Sequence, residues 1–139
     1  VKYLIDTCVI SELISKQPNP NVVDWVDSLE SEQVYLSVIT IGEITKGIEK
    51  LPESKRKREL KAWLNHELLP RFHGRILPLG TDVLIQWGTL LAHLDAGGNP
   101  MPAIDSLIAA TVLTYGITLV TRNVTDFEST GVKMINPWE

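Results

Sequence analysis

The chain reads as an α/β domain of three layers, with a mainly parallel central sheet flanked by helices. Three observations predict this class. Short apolar or β-branched runs stand at Lys2–Asp6, Val34–Ser37, Arg75–Leu77, Thr118–Thr121 and Val132–Ile135. The stretches between most of them carry apolar residues at helical spacing, and the helix ends bear Asn, Thr, Asp or Pro starts and Gly or Pro stops. Strands that alternate with helices pair in parallel and gather their ligands at the strands' carboxyl ends.

Each element has its own local reason. Lys2–Asp6 is a buried strand, and Thr7 caps a helix over residues 8–15 that stops at the breaker Gln17-Pro18-Asn19-Pro20. Asn19 then caps a second helix with Pro20 at its first position, and Val22, Val23, Val26 and Leu29 form its apolar face. After the Val34–Ser37 strand, Val38-Ile39-Thr40-Ile41 fits a strand as well as a buried helix, because β-branched residues suit both. A helix over 39–49 is the better reading, since it puts Ile41, Ile44 and Ile48 on one stripe. Pro52-Glu53 opens a charged helix that Pro70 ends, with Leu60, Trp63, Leu64 and Leu68 inward. Thr81 or Asp82 opens a helix that Gly97-Gly98 stops, and Pro102 begins another that ends at Gly116. A loop after Thr118–Thr121 leads to the last short strand.

Whole-chain quantities bound the function. At 139 residues, with 44% apolar and 22% charged residues, the expectation is a single globular domain over 1–139. No apolar run has the length of a membrane span, and the first residues lack the pattern of a signal peptide. The one cysteine, Cys8, allows neither an internal disulfide nor a multi-cysteine zinc motif, so a reducing, cytoplasmic setting is expected. The net charge is -4. Setting four candidate site acids aside leaves as many acidic residues as the 13 Lys and Arg, so charge neither supports nor excludes a polyanionic partner.

Those four acids, Asp6, Glu43, Asp105 and Asp126, each stand where an apolar segment gives way to a helix start or polar turn. Singly, such acids cap helices and make turns. Brought into one pocket, each close pair repels by roughly 4 kcal/mol at about 4 Å and an effective dielectric near 20, which a fold tolerates by binding cations or protons. Mg²⁺ and Mn²⁺ prefer this all-oxygen chemistry. His66, His73 and His93 are not closely spaced, and no Ser or Cys has a recognisable activating partner. Phosphodiester hydrolysis by metal-activated water needs only what the chain supplies.

The segments Leu4-Ile5-Asp6-Thr7-Cys8-Val9-Ile10-Ser11-Glu12, Ser37 to Ile44 with Gly47-Ile48, Asp105 to Ala110, and Thr121-Arg122-Asn123 with Asp126-Phe127 resemble the successive motifs of PIN domains. The resemblance is to the VapC toxin group, in its FitB-like branch, and spans nearly the whole chain in the family's order. It implies a metal-dependent endoribonuclease, using Mg²⁺ or Mn²⁺, held inactive by a cognate antitoxin. It also implies a homodimer, RNA as substrate, and DNA contact only through the antitoxin. By the same carry-over Asp6 and Asp105 are the strongest metal ligands, and Glu43 and Asp126 complete the catalytic pocket. Thr7, Thr121 and Asn123 are supporting polar residues that could hold ligands or waters.

One departure stands out: Cys8 occupies the place where many relatives have Asn, and a thiol is a weak donor. The competing expectation is therefore a catalytically weak PIN-like module that binds RNA or protein. Lys50, Lys55, Arg56, Lys57, Arg58 and Lys61 could offer RNA a positive face, although a charge run is ordinarily a solvated one.

Overall fold

Apolar residues on both faces of the central strands decide the layering. The computed structural model describes all residues, Val1–Glu139. Its five strands are β1 (Tyr3–Ile5), β2 (Val34–Ser37), β3 (Ile76–Leu77), β4 (Thr118–Val120) and β5 (Met134–Ile135). They pair in the order β3-β2-β1-β4-β5, and every pairing is parallel. Successive side chains of β1 point to opposite faces. Ile5 thus enters a core with Val9, Val22, Leu36, Ile44, Leu64 and Val120, while Leu4 enters a second core with Leu90, Ile108, Val112, Leu119 and Phe127.

Helices α1 (Thr7–Leu13), α2 (Pro20–Asp27), α4 (Lys55–Trp63) and the short α5 (Leu69–Arg71) cover the first core. Helices α6 (Thr81–Ala96) and α7 (Ala103–Tyr115) cover the second. α3 (Val38–Glu49) serves both, giving Ile44 and Ile48 to one and Ile39 to the other. After β1 the chain builds outward through β2 and β3, then returns to the opposite side of β1 as β4. The order therefore reverses between β1 and β4, which makes the crevice at their carboxyl ends the switch point where such sheets bind ligands.

Several boundaries differ from the sequence reading, each for a local reason. Asp6, not Thr7, caps α1: its side chain accepts the Thr7 N–H, and Thr7 is already helical. Ser54 caps α4, so that helix starts later than Pro52-Glu53. Pro70 does not end the helical run. Residues 64–68 widen into a π turn in which the Leu69 N–H reaches back to the Leu64 carbonyl, and α5 continues through Pro70. Pro70 has no N–H to give and its ring crowds the turn before it, and the wider turn accommodates both defects. The segment assigned to a loop is a 3-10 run over Val124–Thr130. Gly116 closes α7 at φ 63°, a conformation that costs a side-chain-bearing residue about 1 kcal/mol or more.

The basic stretch of α4 is largely committed to the fold. Lys57 is buried, donating to the Glu49 carbonyl (3.2 Å) and pairing with Glu53 (3.0 Å), and Lys61 pairs with Glu49 (3.0 Å). Arg56 donates to the Ile14 carbonyl. Near the sheet's edge, the Arg75 guanidinium donates to the carbonyls of Ser31, Val34 and Arg71, tying the turn before β2 to α5 and β3. Arg75→Ala is expected to lower the unfolding free energy by about 2 kcal/mol, because charged hydrogen bonds are each worth about 1.5–3 kcal/mol and water replaces some of them. Arg75→Lys should recover less than half of that in urea denaturation, since one ammonium cannot span three carbonyls.

Candidate active site

At the end of β1 the ladder gives its last bond, from the Asp6 N–H to the Val120 carbonyl (3.0 Å), which sets Asp6 at the carboxyl edge of the sheet. Its side chain is buried and fully engaged. Oδ1 accepts the Thr7 N–H (2.8 Å), and Oδ2 accepts the Thr121 hydroxyl (2.8 Å) and lies 3.8 Å from the Cys8 thiol. Asp6 is thus a helix cap and a site acid at once. Thr121, itself buried at the end of β4, locks the two central strands together through a carboxylate.

Asp126 follows from the same corner. Asn123 donates its backbone N–H to Thr121 Oγ1 (3.1 Å), and its carbonyl accepts the Asp126 N–H (3.1 Å), which places the exposed Asp126 in the first turn of the 3-10 run. Asn123 therefore contributes through its backbone. Glu43, also exposed, projects from the second turn of α3 and accepts the Thr7 hydroxyl at 2.6 Å. Thr7 touches Thr40 Oγ1 as well (3.1 Å), a buried hydroxyl that the sequence reading missed because a threonine in an isoleucine-rich helix looks like packing.

Asp105 enters from the other side. It sits half-buried in the first turn of α7, and that turn is pinned by its neighbour Ser106, which is fully buried. Ser106 donates to the Ala103 carbonyl (2.6 Å) and accepts the indole N–H of Trp87 from α6 (2.9 Å). The indole thus fastens α6 to the turn that carries the acid, a role beyond apolar filling. Asp105 and Asp126 line one side of an open polar groove of about 460 Å³ with Asn99, Met101, Thr125 and Ser129. An apolar cavity of about 230 Å³, lined by Ile10, Leu13, Val26, Trp63 and Phe72 among others, includes none of the four acids and offers no chemistry.

The charges of the other three acids reach Asp105. Burial raises the Asp105 carboxyl above the ordinary Asp value, and the charges of Asp126, Asp6 and Glu43, in that order, raise it further. The chain's ion pairs all lie among residues 49–61, so no Lys or Arg neutralises any of the four. Yet no three His, Cys, Asp or Glu side chains are drawn close enough to grasp a common ion. The donors are carboxylate and hydroxyl oxygens, which fit Mg²⁺ or Mn²⁺ and not a softer ion. The thiol of Cys8 does not alter this. Burial pushes it up, the Asp6 charge adds to that, and the Arg122 N–H only partly offsets them, so it stays protonated at neutral pH.

The comparisons with known proteins agree with this fold. The PIN domain family model matches residues 3–133, and the chain belongs to the PIN-domain family. Within it, the chain groups with the VapC and FitB toxins. It is 40% identical to Toxin FitB of Neisseria gonorrhoeae over 97% of each chain. It is 37% identical to VapC ribonuclease Y4jK of Sinorhizobium fredii over 98% of this chain and 97% of that one. The crystal structure of FitAcB from Neisseria gonorrhoeae has a chain that superposes with a TM-score of 0.94, at 39% identity and 99% coverage of both chains. The three-layer fold expected from the sequence is therefore the fold observed, its sheet wholly parallel.

The raised Asp105 carboxyl has a stability consequence whose sign is fixed. With a folded value above the unfolded one, Asp105 contributes most below the unfolded value, near pH 4, and that contribution is lost as pH rises through the folded value. In metal-free protein at pH 7, Asp105→Asn should raise the melting temperature by about 2–4 °C, solvent screening keeping the gain small. Calorimetry should show the gap closing as pH falls toward 4.

Proposed function

We propose that the protein is an Mg²⁺- or Mn²⁺-dependent endoribonuclease, the toxin of a type II toxin-antitoxin pair. The observation that carries this reading is the unneutralised set of four carboxylates around Asp105 at the sheet's switch point. Asp6 and Asp105 would hold the cation, Asp6 from a carboxylate already oriented by Thr7, Thr121 and Cys8. Glu43, held by the Thr7 hydroxyl, and the exposed Asp126 would complete the site and take a proton from the attacking water. When bound, the cation supplies Lewis acidity to the phosphodiester and its water, and offsets the charge that otherwise repels RNA. The groove beside Asp105 and Asp126 gives the strand a path to the acids.

Relatives named a toxin and a VapC ribonuclease support the toxin role and the choice of RNA. A cognate antitoxin as inhibitor is consistent with FitAcB being the form in which the structural relative was solved. A homodimer would use exposed apolar side chains such as Leu84 and Ile85 on α6 and Ile104 on α7. No helix is long and apolar enough to cross a membrane, which suits a cytoplasmic toxin.

The acids' separation favours a second reading, a PIN-like module that binds RNA or protein without cutting it. Cleavage assays on total cellular RNA decide between them. Purified protein free of antitoxin is expected to cut in Mn²⁺ or Mg²⁺ and to stop when EDTA is added. Asp6→Asn and Asp105→Asn should each lower the rate at least about 100-fold while the protein stays folded by circular dichroism. RNA that is bound but left intact by wild type in both metals would establish the binding module instead.

A further inference from the structure

Thr40 lies in the first turn of α3, one turn before Glu43, and is 1% exposed. A threonine further along a helix can return its proton to the carbonyl one turn back, as Thr111 does to Leu107 (2.8 Å), but Thr40 is third in α3 and has the strand residue Leu36 four positions before it. Thr40 instead meets the Thr7 hydroxyl of α1 at 3.1 Å, and Thr7 Oγ1 stands 2.6 Å from Glu43 Oε1. By position Thr7 can donate to either neighbour, but it carries one proton. A carboxylate oxygen accepts, and this bond is the shorter of the two, so the Thr7 hydroxyl keeps its proton and points it at Glu43. The Thr7–Thr40 contact, whose placed donor is Thr7, then reverses, and the buried Thr40 hydroxyl turns its own proton to the Thr7 oxygen. A directed chain results, from the core through α1 to the exposed acid, and each bond polarises the next.

The geometry points to Thr40 as a positioning residue that fixes the Thr7 hydroxyl and, through it, the Glu43 carboxylate at the edge where the cation is to be held. The inference rests on the nuclease reading for what Glu43 then does, whereas the coupling of Thr40 to Glu43 stands apart from it. Thr7 accordingly acts as the link between Thr40 and Glu43.

Two substitutions separate the hydroxyl from its bulk. Thr40→Val keeps the shape and removes the donor; Thr40→Ser keeps the donor and removes a core methyl. In Mn²⁺ titrations followed by electron paramagnetic resonance, Thr40→Val is expected to bind about tenfold more weakly than wild type and Thr40→Ser within about twofold. Melting temperature should fall in the reverse order, Ser below Val. Mn²⁺ affinity that is unchanged in Thr40→Val, or worse in Thr40→Ser, would overturn the proposal. A double-mutant cycle of Thr40→Val and Glu43→Ala in metal-free protein gives a second measure. The unfolding equilibrium constants should depart from additivity by a factor of about 3 or more, and additive effects would overturn the coupling. Coupling without any Mn²⁺ binding by wild type would sink the nuclease reading and leave the chain standing, whereas Mn²⁺ binding with additive effects would sink the chain alone.

Discussion

Holding acids of like charge at one edge of a sheet is the constraint on which this molecule is built. Asp6 meets it by being a structural group first. Its carboxylate caps α1, accepts the hydroxyl that joins β4 to β1, and faces the Cys8 thiol. A buried carboxylate with three donors is held in place whether or not its neighbours are charged. The other three acids need no such burial, because each stands on an element whose first turns are pinned by a neighbour: Thr7 for Glu43, Ser106 and Trp87 for Asp105, and Asn123 for Asp126.

The sheet order explains why these residues meet at all. Asp6 and Thr121 end adjacent parallel strands, so their proximity follows from register, Ile5 standing opposite Val120. Helices α3 and α7 begin beside that edge, Ser37 capping the first at the end of β2, which puts helix N-terminal turns where negative side chains are tolerated. Burial first, and then the charges of Asp126, Asp6 and Glu43, raise the Asp105 carboxyl, and on the proposed reading a divalent ion would relieve that repulsion.

Much of this was legible in the sequence. The strand runs, the Asn19-Pro20 and Gly116 signals and the positions of the four acids gave the layers and the edge at which the acids lie. Pro70 misled, because a π turn that absorbs a proline depends on the packing of Leu64 and Leu68 rather than on a local signal. From sequence Asp6 reads as the last residue of its strand and Thr7 as the cap, a one-residue error that hides how the acid doubles as the cap. Thr40 and Ser106 were invisible for a different reason: a buried hydroxyl means something only once its partner, 33 or 19 residues away, is known. The basic run of α4 suggested an RNA surface, yet Lys57 and Lys61 are spent on acids of their own neighbourhood.

The central claim is that one divalent site is shared by carboxylates from β1 and α7. Anomalous X-ray diffraction at the manganese edge, on crystals grown with Mn²⁺, tests it most directly. The expected result is a peak within coordination distance of Asp6 and Asp105, with Glu43 or Asp126 drawn inward. A well-ordered crystal with no peak between those two residues, at Mn²⁺ concentrations that support RNA cleavage, would contradict it.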